Sequence, residues 1–265
     1  MKNLFKFYLN SSIHVSLAVL SLAIMTYYLF DFPINLSVIG FAFFSSVTGY
    51  NCVKYGKLFI KKDISQGLKA IRTFSLASAV VALGLFFALR FSAQLLVLIA
   101  GMLTLLYAFS FFGAKNLRNL SGIKIYIVAL CWVLITLFLP VLQAEYQMNS
   151  DVWIKSLQRF LLILILILIF EIIDLKEDNP NLKTLPQTLG VRKTKIVGVL
   201  LLTVFFALDF FLSNYEHSQL FINGVLVVVT TLFTLFATEN RPKYYTIFWV
   251  ESIPMLWFLL TVLFR

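Results

Sequence analysis

Residues 171–190 read EIIDLKEDNPNLKTLPQTLG and follow an almost unbroken apolar run over residues 160–170. Three of the acidic residues in this stretch, Glu171, Asp174 and Asp178, stand at steps of three and four. On a helix that continues out of the apolar run, that spacing places all three carboxylates on one face. Such a cluster at a membrane edge is costly unless cations meet it, and its hard oxygen atoms suit Mg²⁺ with a phosphate-bearing substrate. The alternative is a solvated, charged loop at a helix end.

The composition is that of a membrane protein. Of the 265 residues, 60% are apolar and 13% are charged, and the mean hydropathy is +0.91. These values lie far outside the range of soluble domains and predict an all-α integral membrane protein. The net charge of +10 does not indicate a nucleic-acid partner, because the basic residues lie between apolar runs rather than on a face in water.

The chain contains nine apolar runs of membrane-crossing length. They cover residues 8–30, 35–53, 72–90, 93–112, 122–142, 153–173, 192–212, 219–238 and 244–264. The first run is too long for a signal peptide and ends in bulky residues, so we expect a retained helix.

The distribution of basic residues predicts the orientation. With a cytoplasmic N-terminus, 18 of the 22 Lys and Arg residues fall on the inner side of the membrane. This bias follows the positive-inside rule and predicts a multi-pass protein of the plasma or inner membrane, with the N-terminus in and the C-terminus out. The two longest inner connections, residues 54–71 and 174–191, follow the second and sixth runs. We therefore expect a single membrane domain over residues 1–265, with halves near 1–142 and 143–265 and a polar cap made by these two loops.

The pattern around the second long loop resembles the UbiA superfamily of intramembrane prenyltransferases. That family has nine helices and an acidic motif after helix six, followed by a segment like K-T-L-P-x-x-L-G. Glu171, Asp174 and Asp178 match the acidic positions, and residues 183–190, KTLPQTLG, match the tail. Residues 107–119, YAFSFFGAKNLRN, resemble the family's Tyr-Ser and basic segment after helix four. A Trp, a Thr and a Pro at four-residue steps in the fifth run are similar to its W-x-x-x-T-x-x-x-P pattern.

The resemblance implies an activity and a set of site residues. It implies that the protein transfers a prenyl group from a prenyl diphosphate to an unknown, aromatic or lipidic acceptor, with Mg²⁺ as cofactor. Asp174 and Asp178 are then expected in catalysis, with Glu171 as a further metal ligand. Contacts to the diphosphate are expected from a set of polar and basic residues: Asn51, Lys54, Lys57, Tyr107, Lys115, Arg118 and Lys183.

The first acidic motif of the family, N-D-x-x-D-x-x-x-D, is degenerate here. Asn51 stands in register, but Cys52, Tyr55 and Phe59 occupy the aspartate positions, and residues 32–62 contain no Asp or Glu. We expect fewer metal ions than in the family, with Lys54 and Lys57 neutralising phosphate oxygens instead.

Three functions stay open at this point. The first is a divergent prenyltransferase. The second is a catalytically silent relative that binds an isoprenoid or its diphosphate, or assists a partner enzyme, and the third is a small membrane transporter. No pattern identifies a protein partner. Asp209, near the outer end of its run, is expected to meet lipid headgroups or water.

Overall fold

The described part of the chain is helical and suited to a membrane. The computed structural model describes residues 2–61, 63–109, 122–213 and 216–264, and all regular secondary structure in these ranges is helix. Within these ranges, eight helices are long and apolar enough to span a membrane, and a ninth span results if the bent pair Leu4–Asn10 and Ile13–Leu29 is one crossing. This agrees with the nine predicted runs, and the protein is an integral, multi-pass membrane protein. The first run differs from the prediction because it bends by 58° at its break.

The described residues form twelve α-helices, with short 3₁₀ and π segments between them. The α-helices are α1 (Lys2–Asn10), α2 (Ile13–Leu29), α3 (Leu36–Phe59), α4 (Gln66–Phe86), α5 (Phe91–Ala108), α6 (Lys124–Val133), α7 (Leu139–Gln143), α8 (Ser150–Ile173), α9 (Leu185–Leu189), α10 (Val191–Ala207), α11 (His217–Phe236) and α12 (Ile253–Phe264). The 3₁₀ turns are Asp174–Lys176, Pro180–Leu182 and Leu208–Phe211, and the π segments are Leu134–Phe138 and Tyr245–Val250.

The chain divides into two compact units. The N-terminal unit holds Met1–Asn116 and Leu134–Tyr146, and the C-terminal unit holds Leu117–Val133 and Gln147–Arg265. The N-terminal unit therefore contains α1 to α5 and α7, and the C-terminal unit contains α6 and α8 to α12. The expectation of a single membrane domain with halves near 1–142 and 143–265 stays a prediction.

Asparagine side chains cap the starts of two long helices. Asn35 precedes α3 and accepts a hydrogen bond from the Val38 amide (3.2 Å). Asn149 precedes α8 and accepts one from the Val152 amide (3.0 Å). Each cap satisfies one of the backbone N–H groups that the first turn of a helix leaves without a helical partner.

A proline explains the π segment Leu134–Phe138. Pro140 has no N–H and so cannot donate to the carbonyl of Thr136, four residues earlier. The Thr26 hydroxyl of α2 donates to that carbonyl instead (2.7 Å). A hydroxyl from a neighbouring helix thus satisfies a backbone group that would otherwise be exposed to hydrocarbon, a common solution for prolines in membrane helices.

The core of the C-terminal unit is α8, which packs against α6, α10 and α11. Its side chains are buried almost all round, including Leu162, Ile165 and Ile169, as expected for a helix without a polar face. Small residues bring other helices together. A Cβ atom on Gly198 of α10 would lie 3.2 Å from Thr234 Cγ2 of α11, and such close approaches drive helix packing in lipid.

Candidate functional site

The end of α8 places the acidic residues of the predicted site. The α-helix ends at Ile173, and Asp174–Lys176 continue as a 3₁₀ turn. The amides of Glu177 and Asp178 both donate to the Asp174 carbonyl, each at 2.9 Å. The expectation of one continuous helix carrying all three carboxylates is therefore wrong beyond Ile173. The tighter turn satisfies the end of the helix and still directs Asp178 toward the final turn of α8.

A lysine joins two of the three carboxylates. The Lys124 Nζ atom, at the start of α6, lies 3.1 Å from Glu171 Oε1 and 3.4 Å from Asp178 Oδ2. The side chains of Lys124 and Glu171 are only 15% and 4% exposed, so water screens their attraction weakly. Asp174 does not contact this ammonium group, although it lies close enough to interact with Asp178 and Lys124 electrostatically. We call Lys124, Glu171 and Asp178 the Lys124 bridge.

Lys124 is not among the site residues that the sequence predicts, where it is only one of the 18 basic residues on the inner side. Lys124 and Asp178 are 54 residues apart along the chain. No spacing rule links residues so distant in sequence. Its position near the start of the apolar run 122–142 is no specific signal, because it is equally common for a lysine at a membrane interface.

Residues 183–190, KTLPQTLG, include a short capped helix whose first amide donates a hydrogen bond to Glu171. Thr184 and Gln187 form a capping box at the start of α9, in which the Thr184 amide donates to Gln187 Oε1 (3.0 Å). The next amide, that of Leu185, donates to Glu171 Oε2 (3.3 Å). Gly190 then joins α9 to α10 with a φ of 82°, a conformation that favours glycine. The two oxygens of Glu171 thus have separate partners, Lys124 on one and the Leu185 amide on the other.

Other basic residues surround the end of α8. Lys243 pairs with the Glu177 carboxylate, which raises the pKa of Lys243 above its ordinary value. Lys176 lies 3.5 Å from Glu239. Lys183, a predicted diphosphate contact, is exposed just before the capping box. All three of these lysines are exposed at this end of the C-terminal unit.

In the N-terminal unit, the residues at the degenerate motif serve the fold. Asn51 is fully buried, accepts a hydrogen bond from Ser12 Oγ (2.9 Å) and donates to the Ser11 carbonyl (3.0 Å). The Tyr55 hydroxyl donates to the Asn10 carbonyl (3.1 Å). Both side chains thereby satisfy backbone or hydroxyl groups at the break between α1 and α2. The predicted contact between Asn51 and a diphosphate stays a prediction, and binding would require Asn51 to exchange these partners.

The remaining predicted residues have different surroundings. Lys54 and Lys57 are exposed on the last turns of α3. Tyr107 is partly buried in the last turn of α5. Lys115 and Arg118 lie outside the described residues. The structure thus brings Glu171 and Asp178 together, with Asp174 adjacent. Of the other described candidates, Lys183 belongs to the same C-terminal unit, and the N-terminal unit contains the rest: Asn51, Lys54, Lys57 and Tyr107.

The donor set suits one Mg²⁺ ion rather than a complete protein cage. Among the described residues, no group of three or more His, Cys, Asp or Glu side chains is arranged to hold a metal ion. Two carboxylates nevertheless converge on a single cation, the ammonium of Lys124. Mg²⁺ is commonly bound by one or two carboxylates while waters and substrate phosphates complete its shell. The residues therefore fit the ion, provided that a diphosphate supplies oxygen ligands and Lys124 moves aside.

A second polar cluster, which the sequence does not predict, surrounds Asp209. Asp209 is 2% exposed, and it accepts hydrogen bonds from Gln158 (2.8 Å) and from Asn223 (2.9 and 2.7 Å). Lys155 Nζ lies 3.5 Å from the same carboxylate. The expectation that Asp209 meets headgroups or water is wrong, because the 3₁₀ turn Leu208–Phe211 ends α10 with the carboxylate directed into the unit. We call these four residues the Asp209 network.

These features define a class of protein. It is a multi-pass membrane protein, helical throughout its described residues, in which carboxylates at the end of one buried helix pair with a lysine. No family model and no curated protein matches the sequence. Solved structures do match, and through them the chain has the fold of the UbiA superfamily, as the resemblance in sequence predicted.

Three solved structures illustrate the likeness. A UbiA homologue from Archaeoglobus fulgidus bound to GPP and Mg²⁺ has a TM-score of 0.67 at 14% identity, over 97% of this chain and 98% of that one. An apo UbiA homologue from Aeropyrum pernix K1 also has a TM-score of 0.67 at 14% identity, over 95% and 98% of the two chains. A digeranylgeranylglyceryl phosphate synthase has a TM-score of 0.62 at 16% identity, over 100% and 99%. At these identities the likeness establishes the fold.

Proposed function

We propose that the protein is an intramembrane prenyltransferase that moves a prenyl group from a prenyl diphosphate to a hydrophobic, aromatic or lipidic acceptor. The observation that carries the proposal is the convergence of Glu171 and Asp178 on one cation at the end of α8. Two solved structures with the same fold, from A. fulgidus, contain GPP or DMAPP together with Mg²⁺. A cation held by acidic side chains is what a diphosphate needs in order to bind beside carboxylates.

The reaction divides between the polar end and the apolar helices. The C–O bond to the diphosphate breaks and its electron pair leaves with the diphosphate. The resulting allylic cation is captured by a nucleophilic atom of the acceptor, which then loses a proton. Apolar helices keep water from that cation, and the faces of aromatic rings stabilise it.

The polar residues hold the leaving group. Glu171, Asp174 and Asp178 are the proposed ligands of Mg²⁺, which would neutralise charge on the departing diphosphate when bound. Lys183 is exposed in the segment that follows Asp178. We propose Lys183 as a contact of the diphosphate, Lys54, Lys57, Lys115 and Arg118 as further positive charges, and Asn51 and Tyr107 as polar contacts. We also propose that this end is cytoplasmic, because most basic residues of the chain lie on the inner side in that orientation.

The test is release of pyrophosphate by the purified protein in nanodiscs. Farnesyl or geranylgeranyl diphosphate is supplied with Mg²⁺ and, in turn, with aromatic and lipidic acceptors. We expect release by the wild type and a loss of at least about tenfold in Asp178→Asn, since one carboxylate of the site is removed. Glu239→Gln is the matched control, because Glu239 pairs with Lys176 at 3.5 Å rather than with Lys124. Activity that is equal in Asp178→Asn and the wild type contradicts the assigned site.

A second function, binding of an isoprenoid diphosphate without turnover, is favoured by one observation. The aspartate positions of the first motif hold Cys52, Tyr55 and Phe59, and Tyr55 is already hydrogen-bonded to Asn10. Mg²⁺-dependent binding of a prenyl diphosphate without pyrophosphate release, with every acceptor class supplied, supports this silent form. Absence of both binding and release contradicts both functions.

A further inference from the structure

The Lys124 ammonium occupies the point on which the two carboxylates converge. Its Nζ atom is 3.1 Å from Glu171 Oε1 and 3.4 Å from Asp178 Oδ2. The second oxygen of Glu171 already accepts the Leu185 amide. A metal ion that used Glu171 and Asp178 together would therefore have to take the place of this ammonium.

The consequence for a metal ion follows from charge. Mg²⁺ arriving alone gains two carboxylates, but it leaves the Lys124 ammonium without these partners in a weakly hydrated site. An ammonium that loses its anionic partners under these conditions is strongly disfavoured. If a diphosphate arrives with the metal, its anionic oxygens offer Lys124 new acceptors, and the penalty is removed.

We propose that the Lys124 ammonium group competes with the divalent cation for the carboxylates of Glu171 and Asp178. This competition couples binding of Mg²⁺ to binding of the diphosphate. This inference rests on the proposed function, and it concerns the order and linkage of binding rather than the reaction. Each ligand raises the affinity for the other by the same factor, since coupling between two sites is reciprocal. Lys124 therefore acts as a positioning residue that holds Glu171 and Asp178 together until substrate is present.

The test measures Mg²⁺ binding by isothermal titration in nanodiscs, with and without inorganic pyrophosphate. For the wild type we expect weak binding of Mg²⁺ alone and an affinity roughly 5- to 150-fold higher with pyrophosphate, the usual range of such coupling. In Lys124→Met, Mg²⁺ alone should bind about tenfold more tightly, and the added effect of pyrophosphate should shrink by a similar factor.

The matched control is Lys176→Met, which removes the same charge from a lysine whose carboxylate partner is Glu239. It should leave the coupling as in the wild type. Lys124→Gln provides a second variant if Lys124→Met does not fold. Affinity for Mg²⁺ alone that is no higher in the Lys124 variants than in Lys176→Met overturns the proposal. So does a wild type that binds Mg²⁺ equally well with and without pyrophosphate.

The outcome for the proposed function is read separately, with farnesyl diphosphate in place of pyrophosphate. If neither the wild type nor any of the variants binds farnesyl diphosphate with Mg²⁺, the prenyltransferase assignment fails. The comparison of Mg²⁺ affinity between Lys124→Met and Lys176→Met still decides whether Lys124 competes with the metal.

Discussion

Two polar clusters lie at opposite ends of α8 in the C-terminal unit, and they have opposite compositions. Gln158, in the Asp209 network, precedes Glu171, in the Lys124 bridge, by about 20 Å of helix at the usual rise per residue. In the Asp209 network, one buried carboxylate accepts from Gln158, Asn223 and Lys155. In the Lys124 bridge, two carboxylates share one ammonium and a third lies nearby.

The difference separates a structural cluster from a binding cluster. A buried carboxylate with several donors gains little from any added ligand and loses much if a partner is removed. Carboxylates that outnumber their cations at a partly exposed end retain capacity for a further cation. We therefore expect the Asp209 network to control stability and the Lys124 bridge to control ligand affinity.

The largest effect should come from breaking the Asp209 network. Asp209→Ala leaves Lys155 and the donor groups of Gln158 and Asn223 without their shared acceptor. The free energy of unfolding should fall by about 3–5 kcal/mol, the usual effect of removing one partner of a buried ion pair. Denaturant titration in micelles measures it, and Asp209→Asn, which keeps one acceptor oxygen, should lose less. A change below about 1 kcal/mol in Asp209→Ala would show that the network does not stabilise the unit.

An intermediate effect is expected at Asn51. This residue tests whether a buried, hydrogen-bonded side chain also controls stability in the N-terminal unit. Asn51→Ala removes the hydrogen bonds with Ser12 and Ser11. The free energy of unfolding should fall by about 1–3 kcal/mol, because buried polar groups are left unsatisfied. Because Asn51 is also a proposed contact of the diphosphate, affinity for pyrophosphate with Mg²⁺, measured in the same preparation, should fall as well. Lower stability with an affinity as in the wild type would show that Asn51 serves the fold and does not bind the ligand.

A smaller effect on stability, with a large effect on binding, is expected at the Lys124 bridge. Asp178 is 25% exposed and Lys124 keeps Glu171 as a partner in Asp178→Asn. The free energy of unfolding should change by less than about 1 kcal/mol, as for partly exposed ion pairs. Affinity for Mg²⁺ with pyrophosphate should fall at least about tenfold, since one of the three proposed anionic ligands is lost. Loss of stability comparable to that of Asp209→Ala would remove the contrast between the clusters.

Features of the fold and of the candidate site were predictable where the residues that determine them are close together in the sequence. The apolar runs are local in sequence, and the described residues contain eight helices of spanning length, with a ninth span if the bent pair is one crossing. The spacing of the acidic residues is local as well, and Glu171 and Asp178 share the Lys124 ammonium group. Lys124 was not predictable as a site residue because its carboxylate partners are distant in the chain. The inward direction of Asp209 depends on the 3₁₀ turn that ends α10, and no spacing pattern reveals this. At the bend in the first run, the Ser12 hydroxyl donates to the Asn51 side chain and the Asn51 side-chain amide donates to the Ser11 carbonyl, and Asn51 belongs to another helix that is distant in sequence.

The smallest effect should come from the ion pair of Glu177 with Lys243, which has the same chemistry as the Lys124 bridge but is open to water. Its side chains are 62% and 57% exposed. Glu177→Gln should change the free energy of unfolding by less than about 0.5 kcal/mol, because solvent screens exposed pairs. The pKa of Lys243, raised by the Glu177 carboxylate, should fall toward its ordinary value, as followed by NMR of isotope-labelled lysine.

The sign of the pH effect follows from that raised pKa. The Lys243 ammonium is favoured in the folded protein, so the small contribution of the pair is complete below the ordinary lysine pKa. It is lost as the pH rises through the higher, folded-state value. Glu177→Gln should therefore differ from the wild type only below that alkaline range. A large loss of stability at neutral pH would show that exposure does not distinguish this pair from the buried ones.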